Sequence, residues 1–70
     1  MEYDHIELNT FIRVLKIVNT GGKAKLLIRS KGVKVNGEVE MRNRKKLLAG
    51  DKVMINGLEY VVQKEVLRNR

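Results

Sequence analysis

Apolar residues recur every three or four positions over Phe11–Val18 and again over Ala24–Ile28; around Val33 and Val35, Val39 and Met41, and Val53 and Ile55 they alternate with polar ones. The first spacing predicts helix and the second predicts strand. Ahead of both, "HIEL" at residues 5–8 is a short extended candidate. Asn9 or Thr10 then stands where a side chain caps a helix by accepting a bond from a free N–H. Phe11, Val14, Leu15 and Val18 follow as a stripe at i, i+3, i+4, i+7, with Arg13 and Lys16 nearly opposite. This helix is expected to stop near Asn19-Thr20-Gly21-Gly22, where glycine permits positive φ. Thr20 is the expected N-cap of a second helix over residues 22–30, with Ala24, Leu27 and Ile28 as its apolar stripe. At about 100° per residue, Lys25 and Arg29 fall on the far side, and Leu26 beside them is left exposed.

The alternating half begins with Val33 and Val35 around Lys34, turns at Asn36-Gly37, and resumes with Val39 and Met41. Asn-Gly is the strongest short hairpin signal, because a type I′ turn needs positive φ twice. After "RNRKKLLAGD" come Val53 and Ile55, a second Asn-Gly at 56 and 57, and "LEYVV" at 58–62. Asp51, next to Gly50, reads as a turn residue that accepts backbone N–H bonds. The tail, 63–70, is expected to fray or form a short terminal helix. The fold class is therefore α+β: two N-terminal helices packed on a small antiparallel β-sheet, in one domain over 1–70.

Composition narrows the function. Seventy residues without cysteine leave no disulfide framework and no thiolate zinc site, and the single histidine, His5, builds no metal centre alone. No apolar run is long enough to cross a membrane, and the acidic opening lacks the order of a secretory signal, so the expected compartment is the cytoplasm. Charge changes the picture most. All fifteen lysines and arginines lie in residues 11–70, against five acids. Such an excess attracts polyanions, of which nucleic acid is the commonest.

Gly21-Gly22-Lys23-Ala24 resembles a phosphate loop only superficially. A nucleotide-hydrolysing loop needs an upstream glycine four residues before Gly-Lys-Ser/Thr, and this chain has neither feature. The glycines turn the chain, while the helix start and Lys23 together suit a phosphate of a longer polymer. No Ser-His-Asp or Cys-His set exists, so no catalysis and no cofactor are expected. The basic residues are the constellation: Arg13 and Lys16 on helix one; Lys23, Lys25, Arg29 and Lys31 around helix two; Lys34 on the first strand; and Arg42, Arg44, Lys45 and Lys46, four cations in five positions with no acid among them. Lys52 and Lys64 read as ordinary solvated lysines. With Phe11 assigned to the core and only Tyr3 and Tyr60 besides, aromatic stacking of splayed bases is not the expected mode; a structured, phosphate-dense backbone is.

The run "TGGKAKLLIRSKGVKVNGEVEMRNRKKLLAGDKVMI" resembles the S4 RNA-binding domain, in the manner of small stand-alone bacterial S4-like proteins. Thr20, Gly22, Lys23, Ala24 and Lys25 match its helix-two signature. Ile28, Gly32, Val33, Val35, Asn36 and Gly37 match the Gly-then-Val-x-Val-Asn-Gly portion, and Gly50, Asp51, Val53 and Ile55 its closing strand. The match spans about residues 8–62. It implies an RNA surface made by helix two and the following hairpin: Lys23, Lys25, Arg29, Lys34, Asn36, Arg42, Arg44 and Lys45, to which the basic run adds Lys46. "LNTFIRVL" lacks the arginine-leucine-aspartate opening of many S4 domains, so no helix-one contact is carried over. The implied partner is structured RNA, ribosomal or tRNA-like, with association to ribosomal particles. The rival readings are a small DNA-binding helix-turn-helix module, for which a third supporting helix is missing; a β-grasp carrier, which needs a C-terminal Gly-Gly; and a protein-interaction adaptor using Leu26 and the tail.

Overall fold

In the computed structural model, which describes residues 5–68, the chain runs β1 (Ile6–Glu7), α1 (Leu8–Val14), α2 (Gly21–Arg29), β2 (Val33–Val35), β3 (Glu38–Val39), β4 (Lys46–Leu47), β5 (Lys52–Ile55), β6 (Leu58–Val61) and α3 (Lys64–Arg68). Glu2 and Asp4 of the acidic opening, Tyr3, and the last two residues of the tail lie outside the described residues. The α+β class holds. A four-stranded antiparallel sheet in the order β3-β2-β5-β6 forms one layer, and β1 pairs separately with β4.

Helix α1 departs from expectation at both ends. It starts at Leu8 with Glu7 in the cap position and no side-chain cap. Its first N–H groups find acceptors in the tertiary structure instead: Leu8 N–H donates to the Lys45 carbonyl (2.8 Å) and Asn9 N–H to the Asn43 carbonyl (3.1 Å). With this earlier start, the buried stripe is Leu8, Phe11 and Ile12, with Leu15 packed against it; Val14, expected inside, is half exposed. The helix stops at Val14 because Lys16 turns left-handed (φ 63°), its N–H donating back to the Arg13 carbonyl (2.9 Å). Lys16 therefore lies beyond the helix rather than on its outer face.

Helix α2 follows its pattern closely. Thr20, extended at φ −139°, accepts from the Lys23 N–H through its hydroxyl (3.2 Å). Ala24 and Ile28 are buried and Leu27 partly so, while Leu26 is 69% exposed. The helix ends with Ser30 as C-cap, Lys31 left-handed at φ 66°, and paired bonds from Lys31 N–H to the Ile28 carbonyl and from Gly32 N–H to the Leu27 carbonyl (both 3.2 Å). This is the Schellman arrangement, with lysine where glycine is usual. Gly32 has a different reason to be glycine: a Cβ there would lie 2.8 Å from Leu27 Cδ1 and 3.2 Å from the Leu27 carbonyl.

The sheet obeys its alternation. Val33, Val35, Val53 and Ile55 face a single apolar cluster that also contains Ala24, Ile28, Phe11 and Leu47. Both hairpins turn on Asn-Gly with positive φ at each residue: 52° and 90° at Asn36-Gly37, 54° and 81° at Asn56-Gly57. Strand β3 is shorter than expected. Val39 pairs with Lys34 on the outer face and Met41 lies past the strand, and both are about half exposed. Ile6 and Leu67, outside the stretch that resembles the S4 domain, are also buried, so α3 docks on the core rather than fraying.

Candidate nucleic-acid interface

The basic residues distribute over three places. The first is α2. Ala24 and Ile28 hold one side of the helix on the core, which sends Lys25 and Arg29 outward; Lys23 stands exposed in the first turn, beside the Thr20 cap. Lys16 and Lys23 share a shallow concavity of about 330 Å³ with Ile17, Val18 and Asn19. No described carboxylate pairs with Lys23, Lys25 or Arg29.

The second place is the outer face of the sheet. Since Val33 and Val35 point inward, Lys34 points out; since Val53 and Ile55 point inward, Lys52 and Met54 point out likewise. The register sets Lys34 opposite Met54, which makes Lys52 the diagonal neighbour of Lys34 across the strands, within reach for long side chains. Lys34, Asn36, Gly37, Lys52, Met54 and Glu59 line a concavity of about 520 Å³. Lys52, expected to be an ordinary solvated lysine, is exposed and also sits beside a candidate contact. The alternation of Val53 and Ile55 puts it on the outer face, but no local signal says which strand lies alongside.

Asn36 belongs to this face by position, yet its amide is committed within the protein. Its Oδ1 accepts from the Lys52 N–H (3.0 Å), and its Nδ2 donates to Asp51 Oδ1 (3.3 Å). Asp51 in turn accepts from the Leu48 N–H through Oδ2 (2.8 Å), the turn role expected of it.

The third place is the loop from Arg42 to Lys46. Its backbone is anchored by the carbonyls of Asn43 and Lys45 at the start of α1 and by the pairing of β4 with β1. Arg42, Arg44, Lys45 and Lys46 line an open concavity of about 420 Å³. The run contains no acid in sequence, but the fold brings two to it. Glu40 takes a forked pair of bonds from Arg42, from Nε (2.8 Å) and Nη2 (3.2 Å), and a third from the Arg42 backbone N–H (3.0 Å). Glu7, 37 positions away, takes a bond from Arg44 Nε (3.1 Å). The bonds from Arg42 hold the Glu40 carboxyl below the usual carboxylate range, and Glu40 in turn raises the Arg42 guanidinium above its ordinary value. Both arginines remain largely exposed, so each keeps donors toward solvent.

Lys25 and Arg29 leave the core from the helix layer and Lys34 and Lys52 from the sheet layer, so the nine expected contact residues do not form one flat patch. Among the described residues no group of three or more His, Asp or Glu side chains is placed to hold a metal ion, and no helix is long and apolar enough to cross a membrane.

Comparison with known proteins bears on the family and the fold. No curated protein sequence matches the chain. Its fold is similar to the solution structure of YbcJ from E. coli, described as revealing an alfaL motif involved in RNA binding. The TM-score is 0.66 at 33% sequence identity, over 90% of this chain and 80% of that one. The S4 domain family model matches residues 1–63, from before β1 through the end of the sheet. The helix-two signature, the Asn36-Gly37 hairpin and the Gly50-Asp51 strand that carry the resemblance all lie in that span, and the chain belongs to the S4 domain family.

Proposed function

We propose that this domain binds structured RNA, ribosomal or tRNA-like, by gripping its phosphate backbone, and that it does so in the cytoplasm as one non-catalytic domain associated with ribosomal particles. The observation that carries the reading is the outer side of α2, where Lys23, Lys25 and Arg29 stand exposed, with no carboxylate partner among the described residues, next to a helix start whose N–H groups add positive potential. The loop at 42–46 supports it. Crowded cations raise the energy of a folded chain, and the fold relieves this with Glu7 and Glu40 without removing the excess. The RNA-binding motif of YbcJ, a protein one-third identical over most of the chain, favours RNA over DNA.

The mechanism is electrostatic clamping. Each phosphate neutralised by lysine or arginine releases a counterion, so affinity depends on salt. About four contacts give a log–log slope near −3, roughly a sixty-fold loss between 50 and 200 mM salt. Fluorescence anisotropy with a labelled RNA hairpin, its single strand and the matching DNA duplex tests this. The hairpin is expected to bind tightest, with that slope. Equal or tighter binding of duplex DNA favours the helix-turn-helix reading, and a flat salt response removes the electrostatic mechanism.

A further inference from the structure

We propose that Lys16 and Lys31, the residues that close the first two helices, are contact residues for the same RNA, kept as cations at positions where the backbone favours glycine. The inference rests on the RNA-binding reading and adds two residues to its site.

Seven described residues have positive φ: Lys16, Lys31, Asn36, Asn56, Gly37, Gly50 and Gly57. In five of them the residue is glycine or asparagine, the types for which left-handed backbone is easy. The two exceptions are both lysine, both at the first position past a helix C-cap, and both exposed or partly so. Position C′ is where glycine is most enriched in helices generally. The chain uses glycine freely at its other tight turns, so the choice of lysine at these two calls for a second reason.

Their location supplies one. Lys16 shares the concavity at the start of α2 with Lys23, and Lys31 follows Arg29 at the other end of the same helix. Together they bracket α2, whose nine residues span about 14 Å at 1.5 Å each. The series of exposed cations then runs Lys16, Lys23, Lys25, Arg29, Lys31, past both ends of the helix. Neither added lysine has a carboxylate partner among the described residues.

The competing explanation is intrahelical. A cation near a helix C-terminus is favoured by the dipole and by the last carbonyls, with no ligand involved. The two explanations predict opposite results for glycine. If the dipole explains the lysines, glycine lowers stability and leaves RNA binding alone. If RNA contact explains them, glycine relieves the backbone and weakens binding.

The experiment measures thermal midpoint and hairpin-RNA affinity between 50 and 200 mM salt. The proteins are wild type, Lys16→Gly, Lys31→Gly, the double glycine variant, Lys31→Asn, Lys31→Arg, and Lys64→Gln as a one-charge control on α3. The double glycine variant is expected to melt about 4 °C higher and to bind roughly tenfold more weakly at low salt, with the log–log slope shallower by about 1 per lysine. Lys31→Asn, neutral but tolerant of left-handed backbone, should lose affinity without losing stability. Lys31→Arg should bind as wild type. The proposal is overturned if the double glycine variant binds no worse than Lys64→Gln, or if its midpoint falls. Wild type that fails to bind the hairpin at all sinks the RNA reading itself, whereas tight wild-type binding with indifferent glycine variants sinks only this inference.

Discussion

Asn36 and Asp51 are joined side chain to side chain, Nδ2 to Oδ1 at 3.3 Å, across fifteen residues. The contact ties the β2–β3 hairpin to the Gly50-Asp51 turn that starts β5, and the Lys52 N–H bond to Asn36 Oδ1 closes the same junction. An asparagine expected to touch RNA is thus engaged within the protein at both ends of its amide. Asn36→Gly keeps the left-handed angle and removes both bonds. It should destabilise by about 1–2 kcal/mol, at ~0.5–1.5 per hydrogen bond, and lower the midpoint by roughly 4–8 °C per kcal/mol. Hairpin-RNA affinity, measured well below that midpoint, should stay within about twofold. A large loss of affinity in a folded Asn36→Gly variant would give the amide an RNA role after all.

The glycines of the Gly32 to Gly37 segment look alike in sequence and are constrained differently. At Gly37 the constraint is angular: φ is 90°, and a Cβ added there would meet nothing within 4 Å. Gly37→Asn should therefore be mild, below about 1 kcal/mol, while Gly37→Val should cost about 1–3 kcal/mol, because a β-branched residue is a genuine outlier there. At Gly32 the constraint is space, with Leu27 Cδ1 and the Leu27 carbonyl in the way. Leu27 Cδ1 is the end of a flexible, partly buried side chain, so the Leu27 carbonyl is the stiffer obstacle, and Gly32→Ala should cost about 1 kcal/mol, the low end of the usual penalty for overpacking. Urea unfolding of the three variants checks the order; equal stability of Gly32→Ala and wild type would mean that Leu27 moves aside freely.

How far the sequence can be read follows from where each hydrogen bond goes. Helix α2 is legible to its cap, because Thr20 satisfies the Lys23 N–H from three residues away. The hairpins are legible because Asn-Gly encodes its own angles. The start of helix α1 is not, because its first N–H groups are satisfied by Lys45 and Asn43 carbonyls, more than thirty positions distant, and local capping rules cannot see them. The same distance hides the acids of the basic loop: Glu7 reaches Arg44 only through the β1–β4 pairing. The candidate cations themselves can be named from the sequence, but their division between helix layer, sheet face and loop depends on strand register.

The Glu40–Arg42 pair carries a pH signature. Its hydrogen bonds from Arg42 hold the Glu40 carboxyl below its unfolded value of about 4.5. A carboxyl depressed by folding contributes stability that is fully present above the unfolded value and is lost as pH falls through the folded one. The midpoint of wild type should therefore drop as pH is lowered below about 4.5, and Glu40→Gln should show a smaller drop over the same window. Parallel curves for the two proteins would mean that the pair contributes nothing to folding.

The division of the cations into places makes the RNA surface testable by charge reversal. Lys25 and Arg29 lie one turn apart on the outward side of α2, about 6 Å between Cβ atoms, a separation suited to neighbouring phosphates on one strand. Changing both to Glu should remove most hairpin-RNA affinity, by about a hundredfold or more at low salt, because each reversal removes one attraction and adds one repulsion. Folding should change little, since exposed substitutions away from caps and ion pairs usually stay within about 0.5 kcal/mol. Lys34 and Lys52 offer a matched pair on the other layer, with equal charge and similar diagonal spacing. Their double reversal should weaken binding less if the RNA lies along α2, and equally if it wraps from helix to sheet. Equal losses in both pairs, matched by an Arg13 and Lys64 double reversal, would mean that net charge alone governs binding and that no clamp on α2 exists. A Lys25/Arg29 variant that unfolds would contradict the outward orientation of both side chains.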